Sequence, residues 1–179
     1  MPRLLLLAAF GTALAACQIE TPDAAAGVAV EPAAQTVPVA LGPDAPLLTV
    51  YKSPTCGCCS MWVQHMEASG FRVESRDRTD MPVVKDSLGV PSDLASCHTG
   101  VVESADGSAR YVVEGHVPAE HVLRVLEEQP EARGLAVPGM PIGSPGMEQG
   151  DVRQPYDVLL VDDAGEAAVY AHVEGNTGP

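Results

Sequence analysis

Three thiols stand within four residues at Cys56-Gly57-Cys58-Cys59, in a chain whose other cysteines are Cys17 and Cys97. Thiolates are the protein donors that Cu(I), Zn(II) and iron–sulfur clusters prefer, so this crowding points to a soft-metal site. The same run contains a Cys-x-x-Cys pair, Cys56 with Cys59, which is the spacing of thiol–disulfide exchange. The motif alone therefore supports two chemistries.

Further donors lie downstream. Cys97 and His98 occur together in Ser96-Cys97-His98-Thr99, His116 in Gly115-His116-Val117-Pro118, and Met140 and Met147 in the Gly- and Pro-rich stretch from 134 to 150. Thioether, imidazole and thiolate are all ligands for soft or borderline ions. Each has a plainer use: Cys97 as half of a disulfide, His98 and His116 as loop hydrogen-bonders, and the two methionines as fillers between loop and core. The acidic residues are scattered, from Glu74 to Asp163, and read as a solvated surface rather than a carboxylate metal site.

A site of this kind needs elements that aim the donors at one point. Leu47–Tyr51 is apolar and partly β-branched and reads as a strand, and residues 58–69, stopped by Gly70, read as a helix. The cysteine run then occupies a strand-to-helix turn, where unpaired backbone N–H groups and the positive end of the helix dipole favour thiolates. Gly57 is expected to let the backbone bend until neighbouring sulfurs converge. Met61 and Met66 are expected in the core.

Phe71–Ser75 reads as a second strand, and residues 80–88, with Pro82 early and Gly89 after, as a second helix. Residues 100–104 and 109–114 flank Asp106-Gly107 as a hairpin, and 118–129, bounded by Pro118 and Pro130, read as a third helix. The order strand, helix, strand, helix, strand, strand, helix is that of an α/β, thioredoxin-like domain. In that arrangement Cys97 lies near the start of the first helix. Pro138, Pro141 and Pro145 exclude a regular helix or central strand from residues 134–150, and 156–161 with 166–173 read as a terminal hairpin that packs this Met-bearing loop onto the domain.

The ends of the chain bear on location. Residues 1–16 carry Arg3, then an apolar run and small residues, which is the layout of a secretory signal peptide. Leu14-Ala15-Ala16-Cys17 is similar to a bacterial lipobox, which implies lipidation of Cys17. Gln18 after it implies sorting to the periplasmic face of the outer membrane, a soluble periplasmic protein being the alternative. Residues 17–46, rich in Ala, Pro, Val and Thr, read as a disordered linker, leaving 47–174 as one domain. With 24 acidic and 10 basic residues, the formal charge of −14 argues against nucleic acid or a bare anionic membrane as a partner. The only expected membrane contact is through the lipid.

The segments Ser53-Pro54-Thr55-Cys56-Gly57-Cys58-Cys59, Ser96-Cys97-His98-Thr99, Gly115-His116-Val117-Pro118 and 134–147 together resemble the periplasmic copper-resistance family of CopG type, formerly catalogued as a domain of unknown function. The resemblance spans about residues 48–173. It implies a thioredoxin-like fold and Cu(I) held by the cysteine cluster, as one ion or as several bridged by thiolates. Cys56, Cys58, Cys59, Cys97, His98, His116, Met140 and Met147 are the candidate ligands. Copper ions, and with them other periplasmic copper-handling proteins, are the expected partners.

Two functional classes stay open. In one the chain holds Cu(I) for sequestration, relay or resistance. In the other it is a thiol–disulfide or copper oxidoreductase using Cys56 and Cys59. The extra thiols Cys58 and Cys97 would divert a dedicated exchanger into alternative disulfides, which favours the first. Zinc is the rival metal, although four-thiolate zinc sites usually come as two separated Cys-x-x-Cys pairs.

Overall fold

The structure is a computed structural model that describes Gly42 and residues 44–176. The expected signal peptide at 1–16, Cys17 and nearly all of the linker at 17–46 lie outside the described residues. The described residues all belong to one compact unit. Among them no helix is long and apolar enough to cross a membrane.

The described residues form an α/β fold with three helices and one mixed seven-stranded sheet. In chain order the elements are β1 (Leu47–Lys52), α1 (Gly57–Ala68), β2 (Arg72–Asp77), α2 (Met81–Leu88), β3 (His98–Glu103), β4 (Arg110–Glu114), α3 (Ala119–Glu128), β5 (Gly134–Ala136), β6 (Tyr156–Val161) and β7 (Ala167–Val173). The strands lie in the order β2-β1-β3-β4-β5-β6-β7. Two pairings are parallel, β1 with β2 and β4 with β5, and each is bridged by a helix, α1 and α3 respectively. The remaining neighbours are antiparallel. The sheet interior is apolar because β1, β3 and β4 supply Leu48, Val50, Val102 and Val113, all fully buried beside Trp62, Met66 and Phe71.

Local chemistry explains the element ends. α1 closes with Ser69 bonding back to the His65 carbonyl, followed by Gly70 at φ +95°, a value L-residues avoid. α2 carries Pro82 in its first turn and stops at Gly89 in the left-handed region. α3 buries Val122 and Val125, with Leu123 and Leu126 packed partly against the core, and turns its charged residues outward, where Arg124 and Glu128 pair one turn apart.

One expectation is corrected at the start of the 134–150 segment. Residues 134–136 form β5, an inner strand between β4 and β6. All three are buried, and the strand is only three residues long because Pro138 follows closely and cannot donate to the ladder. At Gly134 the Val112 backbone leaves no room for a side chain. From Pro138 onward the segment is irregular, as the prolines require. The residues leading into β6 adjoin it through the Gln154 N–H, which donates to the Ile142 carbonyl at 2.8 Å.

Candidate metal centre

Cys56 is the N-cap of α1, and its sulfur accepts the Cys59 N–H at 3.3 Å, satisfying one of the unpaired donors of the first turn. Cys58 and Cys59 belong to that turn. Gly57 does not act as expected: its φ is not positive and a Cβ there meets nothing within 4 Å, so the turn does not depend on glycine. The convergence of sulfurs comes from the helical rise itself.

The sulfurs of Cys56, Cys58, Cys59 and Cys97 all lie within 4.8 Å of one another. Cys56 and Cys59 are joined as a disulfide, with Cα atoms 5.3 Å apart, while Cys58 and Cys97 are free thiols. The Cys58 sulfur is 3.5 Å from that of Cys56. Four sulfurs therefore share one small volume across 41 residues of sequence between the first and the last, a convergence made by the antiparallel pairing of β1 with β3 that sets Lys52 opposite His98.

Cys97 also belongs to a second constellation with His98 and His116, whose ligand atoms again lie within 4.8 Å. His98 is the first residue of β3 rather than a loop residue, and both imidazoles are fully buried. Cys97 Sγ lies 3.3 Å from His98 Nδ1 and 3.1 Å from His116 Nε2. His116 Nδ1 donates to the Pro145 carbonyl at 2.7 Å, which leaves the Nε2 lone pair facing the sulfur. Such a carbonyl behind a histidine fixes tautomer and ring orientation for a metal ligand. His98 is set between Trp62, with ring centroids 4.3 Å apart, and His116, at 4.9 Å, and its Nε2 is buried without a protein partner. Trp62 is itself anchored by its indole N–H, which donates to the Val117 carbonyl at 2.8 Å.

Burial sets the protonation of these groups. It pushes the Cys97 thiol up to about 11, with the nearby Cys58 adding to the effect. Metal-free Cys97 therefore keeps its proton, which an incoming cation must displace. Burial lowers His116, and lowers His98 further with help from His116 and Lys85, so both rings are held in the neutral, metal-binding form.

The 138–150 loop covers α1. A Cβ on Gly146, at φ +83°, would come within 2.7 Å of the Cys58 carbonyl and the Trp62 nitrogen, so this backbone lies directly on the first turns of the helix. Met147, next in sequence, is half-buried, whereas Met140 is exposed. Met66 is core as expected, but Met61 is 48% exposed, one helical turn beyond Cys58. The helix turns Trp62 and Val63 inward, leaving Met61 on the outer face.

The donor set suits a soft or borderline cation: two free thiols, two more sulfurs once the Cys56–Cys59 disulfide is reduced, and two neutral imidazoles, of which His98 has a buried Nε2 with no protein partner. Comparison with known proteins agrees. The family described as "Protein of unknown function, DUF411" matches residues 94–147. Two solved structures named copper resistance protein CopG, forms 2 and 1, align at 45% and 46% identity, with TM-scores of 0.66 and 0.65. They cover 73% and 72% of this chain and 99% and 98% of their own. The chain belongs to the CopG-like copper-resistance family. No curated protein matches significantly. The family match at 94–147 takes in Cys97, His98, His116, Met140 and Met147.

Reading the sequence alone missed Trp62, the Pro145 carbonyl, and a buried group formed by Lys85, Thr99 and Glu114. Glu114 carried a faint signal, as an acidic residue closing the apolar run Tyr111-Val112-Val113.

Proposed function

We propose that the protein holds Cu(I) at the merged sulfur and imidazole site, for sequestration, relay or resistance, on a thioredoxin-like scaffold. The single observation that carries this is the convergence of Cys56, Cys58, Cys59 and Cys97 within 4.8 Å, with Cys97 shared by the His98 and His116 group. Adjacent sulfurs chelate one tetrahedral Zn(II) awkwardly but bridge several Cu(I) ions readily, which favours copper over zinc. Met140 and Met147 would add thioethers from the covering loop. Export and a lipid anchor at Cys17 on the periplasmic face of the outer membrane fit the sequence of residues 1–17, and other copper-handling proteins of that compartment would be the exchange partners.

The test is anaerobic reconstitution of reduced protein with Cu(I) against a chromophoric chelator. Retained copper that falls when Cys58 or Cys97 is replaced by Ser supports the reading. No retention, or retention indifferent to both replacements, sinks it.

The Cys56–Cys59 disulfide favours one further reading, a copper oxidoreductase. Two Cu(II) ions would take one electron each from the Cys56/Cys59 dithiol, giving two Cu(I), the disulfide and two released protons. A Cys56→Ser variant that reduces Cu(II) as fast as the parent excludes it.

A further inference from the structure

Beside the sulfur cluster lies a charged group that the copper reading does not use. Glu114 ends β4 and is 2% exposed. Its Oε1 accepts the Ser96 N–H at 2.6 Å and the Lys85 ammonium, and its Oε2 accepts the Thr99 hydroxyl at 2.7 Å. Lys85, from α2, also donates to Thr99 Oγ1 at 2.9 Å. Burying such an ion pair is a poor way to gain stability, because desolvation of both charges consumes most of their attraction. A well-packed apolar pair would serve the core at least as well.

The placement of the bonds suggests what the pair is for. Ser96 precedes Cys97-His98 and Thr99 follows it, so the two carboxylate oxygens grip the chain on either side of that dipeptide. Between them the His98 carbonyl accepts the Gly115 N–H at 3.1 Å. Gly115, at φ +74°, brings the β4 end so close that a Cβ would meet Ser96 Cβ at 2.7 Å and the Val137 carbonyl at 2.5 Å. One residue further is His116. The segment that carries Cys97 and His98 and the segment that carries His116 are thus fastened to each other through Glu114. Lys85 keeps the fastening neutral overall, so that it does not set a bare carboxylate beside thiolates.

We infer that Glu114, neutralised by Lys85, is a positioning residue that fixes Cys97 and His98 against His116 for the metal ion. The inference rests on the copper reading for its consequence, yet the clamp is measurable without metal. A ligand limb held by hydrogen-bonded neighbours loses about 10- to 100-fold in metal affinity when those neighbours are removed.

The metal-free, full-length protein with the Cys56–Cys59 disulfide intact is treated with iodoacetamide, and alkylation of Cys97 is followed against Cys58 in the same molecules by peptide mass spectrometry. Glu114→Gln and Thr99→Val should each raise the Cys97-to-Cys58 rate ratio at least about 5-fold, since loosening the limb exposes one thiol and not the other. Thr99→Val keeps the ion pair and decides the matter if Glu114→Gln fails to fold. A ratio unchanged in the folded variants overturns the inference. In Cu(I) competition, Glu114→Gln should bind about 10-fold more weakly, with an altered thiolate-to-copper absorption band. Val125→Ala, a core cavity in α3, should change neither, and an equal change in it overturns the inference. A parent protein that retains no Cu(I) refutes the proposed function instead, and the alkylation ratio still decides the clamp.

Discussion

His116 Nε2 stands 3.1 Å from Cys97 Sγ while the opposite ring nitrogen, Nδ1, is tied to the Pro145 carbonyl at 2.7 Å. This joins three separated segments: the β3 entry that holds Cys97, the β4 exit that holds His116, and the proline-rich loop that covers α1. The loop is therefore part of the centre through its backbone, whatever its methionines do. Displacing the loop should disturb His116 without any change to a ligand.

Gly146→Ala makes that displacement. The added methyl group would meet the Cys58 carbonyl and the Trp62 nitrogen at 2.7 Å, and the residue would be forced to keep φ +83°. A forced fit of this kind, together with a left-handed alanine, costs about 1–3 kcal/mol. Thermal denaturation should show a lower Tm, and Cu(I) competition a weaker complex. An unchanged Tm would mean that the loop does not rest on the helix as described.

Thiol counting addresses the redox state of the cluster. As the structure stands, Cys58 and Cys97 are free and Cys56 and Cys59 are paired, so alkylation before reduction should modify only the first two of these four. After a phosphine reductant all four should react. Because the disulfide removes two of the four sulfur donors, Cu(I) bound per chain should rise on reduction. Equal copper content in the oxidised and reduced forms would refute the need for all four.

Acid should weaken the metal-free fold, and His65 should be one cause. Its Nε2 accepts the Ala119 N–H at 3.1 Å, capping α3 where Pro118 has no side-chain acceptor to offer. Acceptance requires a neutral ring, and burial holds His65 below its usual 6.5. The unfolded chain thus takes up the proton first as pH falls. The stabilisation is complete above about 6.5 and is lost on descending from there toward the lower folded-state value. His121 shifts the same way, while the exposed His172, raised by its bond to Asp157, opposes it. Chemical denaturation at pH 7 and pH 5 should show a smaller loss in His65→Gln, whose amide oxygen accepts without titrating. An identical loss in parent and variant would remove His65 from the account.

Much of the layout was legible in the chain because its punctuation is local. Gly70, Pro82, Gly89, Asp106-Gly107, Pro118 and Pro130 bracket helices and a hairpin within a residue or two of where they occur. The cysteine run was readable for the same reason: Cys56, Cys58 and Cys59 are neighbours in sequence before they are neighbours in space. Met61 was misplaced because it adjoins Trp62 and Val63 in a run whose inward face depends on what the helix packs against. β5 was missed because three residues carry no period, and their pairing partners, β4 and β6, are remote.

The sequence by itself determined the donors, the helix start that presents three of them, and the proline-stiffened loop, since residue type, spacing and backbone restriction act over a few bonds. Only the tertiary structure decided that Cys97 joins those three sulfurs, that His98 and His116 share its sulfur, and that Glu114 with Lys85 binds the two histidine-bearing segments together. Those relations depend on strand register. A shift of one residue between β3 and β4 would turn Thr99 away from Glu114 and His98 out of the core.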